Sequence, residues 1–346
     1  MLKYGFQNDY SEGAHPNIIK ALTETNHSQE ECYGKDQFSE KAALLIQKKI
    51  GNSNVDVHFT LSGTQTNLVV ISSILRPIEA VIAAKTAHIN VHETGAVEAT
   101  GHKILLIDSK NGKLTPKDIE PILKKHSDEH MVKPKLVFIS NATELGTIYN
   151  KKELEELHSF CKSNNLYLYL DGARLSTALT AKNNNLSLKD ISKLVDVFYI
   201  GGTKSGAFIG EALIIVNKEL RSNFRYYLKQ RGGLIAKSRL IGLQFIELFK
   251  DDLFFELGRH ANLMASKLAH GIEREGYSFL TSPESNQIFP IFSNKFIDKL
   301  KEKYGFYVWA KSGNDKSAIR LVTSWATKEE FVDKFLLDLK NNHSKQ

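Results

Sequence analysis

Cysteine is nearly absent: the 346-residue chain holds two, Cys32 and Cys161. Two thiols build neither a disulfide framework nor a cysteine zinc cluster, and they suit a reducing cytoplasm. Long apolar runs are missing too. A membrane helix needs ~20 such residues, and LVVISSIL (68–75) has only the length of a core segment. The opening MLKYGFQNDYSEG has no basic stretch followed by an apolar one, so no secretory signal is expected. These absences predict a cytoplasmic protein with no membrane partner. No block of one charge sign stands out either: 46 Lys and Arg face 39 Asp and Glu, a net +7. The densest basic stretch, LKKHSDEHMVKPK (123–135), is interrupted by acids and reads as a solvated face. No nucleic-acid motif accompanies it, so nucleic acid is not an expected partner. The surplus suits small anionic ligands. Internal repeats and low-complexity segments are also lacking.

What is present is a long alternation of strand and helix signals. At 42% hydrophobic residues, the length predicts about two domains. VDVHFT (55–60), AVIAA (80–84), KILLID (103–108), KLVFIS (135–140), LYLYLD (166–171) and VDVFYI (195–200) read as strands. Helices are expected from about Thr64 to Leu75, through VHETGAVEAT, from the Thr115-Pro116 start and across ELEELHSFCKSNN. The strands are continuously apolar, as when both faces are covered, so a mainly parallel α/β sheet is predicted. After about residue 238 comes one long helical stretch. Strand signals follow at QIFPIF, FYVWA and AIRLVTS, then a closing helix with a capping-box pattern at Thr327 to Glu330 and a polar tail, KNNHSKQ. The expected organisation is an N-terminal segment (1–16), a large α/β domain (17–238) and a small α+β domain (239–346).

Several short motifs carry chemistry. SGTQTN (62–67) follows a strand and opens a helix, where free N–H groups and the helix dipole attract phosphate. An ordinary capped helix start is the other reading. It is not a Walker loop, since no Gly-Lys-Ser/Thr follows. Asp171, in LYLYLDGARL, ends a buried strand, where open α/β sheets bind ligands. It can cap a helix or face a cationic ring nitrogen. Arg174 is its candidate salt-bridge partner or an anion anchor. His88 and His92 are four apart, but no third ligand completes a metal site; a histidine face stacked on a flat ring is the alternative. Lys204, in YIGGTKSGAFIG, sits among small residues that let something bulky approach the backbone. A snorkelling lysine on a turn is the bland alternative.

One cofactor uses a phosphate cradle, a flat stacking surface, a strand-end carboxylate and a lysine together: pyridoxal phosphate. Over nearly its whole length the sequence resembles the threonine aldolases, in the β-eliminating lyase branch of fold-type-I pyridoxal-phosphate enzymes. FQNDYSEGAHPNIIKAL, YGKD, SGTQTN, HINVHETGAVEATGHKI, DGARL, GGTKSG, KQRGGLIAKSRL and IRLVTSW carry the resemblance, in the family's order. It implies an aspartate-aminotransferase-like large domain. It implies Lys204 as the Schiff-base lysine, Asp171 as partner of the pyridine nitrogen and His88 stacked on the ring. Ser62, Gly63 and Thr64 would hold the phosphate with help from Arg231, and Arg174 and Arg320 the substrate carboxylate. Tyr33 would line the site from a neighbouring subunit of a dimer or tetramer. The implied reaction is cleavage of L-threonine-type β-hydroxy amino acids to glycine and an aldehyde, with His88 or a held water as base. A relative preferring phenylserine-like substrates is the alternative; a basic, non-catalytic binding module is the reading from another class. Two positions depart from the family pattern. Asn8 stands before Asp9 where many members have serine, at a substrate-binding position. Glu144 follows Thr143 where many have histidine.

Overall fold

A computed structural model describes residues 3–343 of the chain. A two-residue strand, β1 (Tyr4–Gly5), is followed by β2 (Asp56–Thr60), β3 (Glu79–Ala84), β4 (Lys103–Ile107), β5 (Lys133–Ser140), β6 (Tyr167–Asp171), β7 (Val197–Gly201) and β8 (Glu211–Ile215). The last seven form one sheet in the order β2-β8-β7-β6-β5-β3-β4. Six strands run one way, and β8 runs against both neighbours. The apolar runs are continuous because both faces are covered. Leu168, Leu170, Phe198 and Ile200 enter the core on one face, and Tyr169, Val197 and Tyr199 the core on the other. Each crossover returns its strand in the same direction, so β2, β3, β5, β6 and β7 all end at one edge. The antiparallel β8 begins there, with Glu211 opposite Thr60 and Gly201.

The C-terminal part adds β9 (Gln287–Ile288), β10 (Ile291–Ser293), β11 (Tyr304–Gly305), β12 (Tyr307–Lys311) and β13 (Lys316–Val322). β13 pairs antiparallel with β9, β10 and β12, while β1 runs parallel to β11 and ties the N-terminal segment to this part. The sheet packs on a core of its own that includes Leu268, Ile272, Phe292 and Phe335.

Four local expectations are corrected. β8 is an additional strand. The long helical stretch is two helices, Arg239–Lys250 and Leu253–Arg274, broken where Asp252 takes φ 61°. The VHETGAVEAT segment is not the continuous helix expected: one turn, His88–Val91, ends before Thr94 and Gly95, both at positive φ, and a short 3-10 turn, Glu98–Thr100, closes the segment before Gly101. At the closing helix, Glu329–His343, the Thr327 hydroxyl accepts from the Ser324 N–H, one turn ahead of the helix it was expected to cap. The buried apolar side chains of the first of the two long helices belong to the core of the large sheet. The core changes inside the second, between Leu257 and Met264. Of the polar tail, Lys340 to His343 are helical and 344–346 lie outside the described residues.

Candidate active site

The strand ends surround a cavity of about 360 Å³. Ser62, Gly63, Thr64, His88, Asp171, Arg174 and Lys204 line it together, so seven residues singled out from the sequence converge on one space. Lys204 lies in the loop between β7 and β8. That loop is tight because Gly206 takes φ 93°, and a Cβ there would stand 2.6 Å from Leu257 Cδ1. Burial, then the Arg174 guanidinium, lowers the Lys204 pKa, while Asp9, Asp171 and Glu211 oppose the shift. The amine is thereby biased toward its neutral, nucleophilic form.

Asp171 ends β6 and is buried. Its Oδ1 accepts from the Tyr199 hydroxyl (2.5 Å) and the Ala173 N–H (2.9 Å), and its Oδ2 from the Asn67 amide (3.2 Å). Neutral donors hold it without a cation, and a carboxylate so held can take a proton-bearing ring nitrogen. The next residue must be small: a Cβ on Gly172 would lie 1.8 Å from the Tyr199 carbonyl oxygen. Asn67 also donates to Glu93 Oε1 (2.8 Å), and the same oxygen is hydrogen-bonded to His88 Nδ1 (2.7 Å). The His88 ring is thus fixed from behind by a buried carboxylate, whose pKa burial raises. His92 stands 5.4 Å away, ring centroid to centroid.

The helix Gly63–Ile74 starts at the cavity with Ser62 as its N-cap. The Gln65 and Thr66 N–H groups are taken by Ser62, leaving those of Gly63 and Thr64 without an intrahelical acceptor. Arg231 does not line the cavity but is close by, since its carbonyl accepts from the Gln65 amide (3.1 Å) and its Nε is buried without a partner. Arg174 is fixed by Asp9 through Nε (2.8 Å) and Nη2 (3.0 Å). Burial opposes ionisation of Asp9, but Arg174 and Lys204 outweigh it and hold the carboxyl below its ordinary range. Arg320, on β13, lies against Tyr307 and Trp309 and donates to the Gln7 carbonyl. Burial and the Arg174 charge lower its pKa, and its Nε is another buried donor without a partner. Asn8 uses its side-chain oxygen on the Tyr10 N–H and the Ser11 hydroxyl. Tyr33 is 41% exposed, over Lys229, outside the cavity lining.

Sequence reading missed two further carboxyl groups on the cavity wall as contributors, Glu144 and Glu211. Burial pushes Glu211 up to about 8 against the opposing Lys204 charge, and its Oε2 accepts from the Gly202 N–H. Tyr199, Asn67 and Glu93 were missed as well. Only the polar character of Asn67 and Glu93 inside apolar surroundings signalled them; which partner each would find is a tertiary fact.

These residues fit pyridoxal phosphate. Orphan N–H groups and a partnerless buried arginine nitrogen suit a phosphate. A neutral-donor carboxylate suits a pyridinium, and a lysine with lowered pKa suits an aldehyde. The fold is that of the aspartate-aminotransferase-like enzymes, fold type I. Aspartate aminotransferase of Thermus thermophilus superposes with a TM-score of 0.72 over 98% of this chain and 91% of its own, at 16% identity. Residues 10–294 match the family described as beta-eliminating lyase, and the chain belongs to that family. It is therefore a lyase and not a non-catalytic basic module. A low specificity L-threonine aldolase of a Pseudomonas species is 32% identical over 97% of this chain and 96% of its own length. The structure of Leishmania major threonine aldolase is 48% identical, with a TM-score of 0.97 over 98% of this chain and 99% of that one.

Proposed function

We propose that the protein uses pyridoxal phosphate to cleave β-hydroxy-α-amino acids, L-threonine and L-allo-threonine foremost, into glycine and an aldehyde. The observation that carries the reading is one cavity joining a lysine of lowered pKa, a strand-end carboxylate held by neutral donors and a buried arginine, Arg174. The likeness to threonine aldolases across the whole chain supports it. When bound, the cofactor supplies an electron-poor ring that takes up the pair released as a bond to Cα breaks. Lys204 would bond its aldehyde carbon and give way to the substrate amine. Asp171 would keep the ring nitrogen protonated, and His88 would lie flat against the ring. Gly63 and Thr64 N–H groups, the Ser62 and Thr64 hydroxyls and Arg231 would hold the phosphate. Arg320, with the edge of Arg174 that Asp9 leaves free, would grip the substrate carboxylate and set the Cα–Cβ bond perpendicular to the ring. Asn8, which accepts from the Tyr10 N–H and the Ser11 hydroxyl, would shape the same end through the turn next to Asp9. The exposed Tyr33 would serve a neighbouring subunit, in a dimer or tetramer with shared sites. Threonine breakdown and glycine supply in the cytoplasm complete the reading.

The test is product analysis. Purified, cofactor-loaded protein is given L-threonine, L-allo-threonine, D-threonine and L-phenylserine. Glycine and acetaldehyde in equal amounts from the first two are expected. Release of ammonia and a keto acid instead would overturn the reading.

A further inference from the structure

Glu144 lies in the turn after β5, on the cavity wall, and is 9% exposed. Its Oε1 is fixed by two donors, the Ser140 hydroxyl (2.7 Å) and the His88 backbone N–H (2.9 Å). Among the described residues no cation forms a salt bridge with it, yet its charge is felt at both Arg174 and Asp171. It therefore shares the cavity wall with the expected carboxylate anchor, Arg174, and with His88, whose backbone it bonds.

The other acids near the cavity already have work. Asp171 accepts from three donors. Asp9 is bound to Arg174 and Asn286. Glu93 sits behind His88 and does not line the cavity. Glu211 is at the lysine end, bound to the Gly202 N–H. His88 itself has Nδ1 committed to Glu93. A buried carboxyl group without a countercharge is costly to keep unless it meets a ligand. A substrate hydroxyl is a ligand of the right kind, since it donates one hydrogen bond and brings no charge.

We infer that Glu144 is the catalytic residue that accepts the hydrogen bond and then the proton of the substrate β-hydroxyl, an assignment that rests on the function proposed above. The O–H proton passes to the Glu144 carboxylate, and the O–H electron pair forms the second bond of the aldehyde C=O. The Cα–Cβ pair passes to Cα, which takes up one proton to give glycine, and Glu144 releases the proton it received. All atoms of the amino acid are accounted for in glycine and aldehyde. Ser140 and the His88 N–H act as positioning groups, leaving the carboxylate little rotational freedom.

The experiment separates hydroxyl chemistry from the rest of the machinery. Glycine has no hydroxyl, so exchange of its α-proton with deuterated water, followed by NMR, needs the lysine end and the cofactor but not Glu144. Parent and Glu144→Gln holoenzymes are compared for L-threonine cleavage, glycine α-proton exchange and glycine affinity from cofactor absorbance. The glutamine variant should lose cleavage by a hundredfold or more, the scale of positioned acid–base catalysis. Its glycine affinity and exchange should stay close to those of the parent. Cleavage near the parental rate overturns the assignment. So does loss of cleavage together with exchange and affinity, which places Glu144 in the shared machinery or the fold. A parent that exchanges glycine and cleaves nothing overturns the proposed function instead.

Discussion

At Asp171, three neutral donors converge on one buried carboxyl group. That arrangement holds charge without cancelling it. Asp171→Asn keeps the shape, and the Tyr199 hydroxyl and Ala173 N–H can still donate to the amide oxygen. The variant should fold like the parent, by circular dichroism and melting, and lose turnover by about 10²-fold or more; near-parental turnover would reduce Asp171 to a structural group. Asp9 offers a pH-dependent test. Its folded pKa is lowered, so its contribution to stability is complete above the ordinary carboxylate value, about 3.9. That contribution is lost as pH falls through the lower folded value. Asp9→Asn leaves buried Arg174 without its partner, a loss of about 3–5 kcal/mol. Urea midpoints of parent and variant should differ most at neutral pH and converge below about pH 4. A gap that stays constant into the acid range would show that the pair's charge is not what stabilises the fold. Lys204, Asp171, His88 and the 62–64 segment were legible because each ends or follows a strand with a chemical signature of its own. Glu93 and Asn67 were not, because a polar residue in an apolar stretch announces burial without naming its partner.

Elements were read well where local pattern and tertiary setting agree. β5, β6 and β7 are apolar runs buried on both faces, and nothing competes with that reading. β8 escaped because it is five residues long, opens with a charged Glu211 and follows a glycine-rich loop. The VHETGAVEAT segment has helix-forming composition, but Glu93 turns inward to His88 and the next two residues adopt positive φ. Close packing decides another position. Gly242, in the helix Arg239–Lys250, faces the helix Gln37–Ile50, and a Cβ there would lie 2.6 Å from the Ser39 backbone N and Cα. Alanine gains about 1 kcal/mol of helix propensity, but a clash with backbone costs about 1–3 kcal/mol. Gly242→Ala should therefore lower the melting temperature. An unchanged or higher value would mean that the two helices can part without loss.

The whole molecule is a scaffold that brings strand ends from residues 60 to 211 to one edge. The exposed Tyr33 is held by its backbone carbonyl, which accepts from Arg225, and its ring lies over Lys229. It is thus presented outward rather than into its own cavity. If it completes a neighbour's site, mixing inactive Tyr33→Ala and Lys204→Ala proteins under subunit exchange should restore part of the activity, because hybrids hold one intact site. No recovery despite demonstrated exchange would place Tyr33 in its own subunit's chemistry.

The central claim is that Lys204 is the residue that bonds the cofactor. Borohydride reduction of the cofactor-loaded protein, followed by proteolysis and mass spectrometry, tests it most directly. The account predicts a stable phosphopyridoxyl adduct on the peptide bearing Lys204, stoichiometric with the chain and absent from Lys204→Ala. An adduct on another lysine, or none in a protein that still cleaves L-threonine, would contradict it.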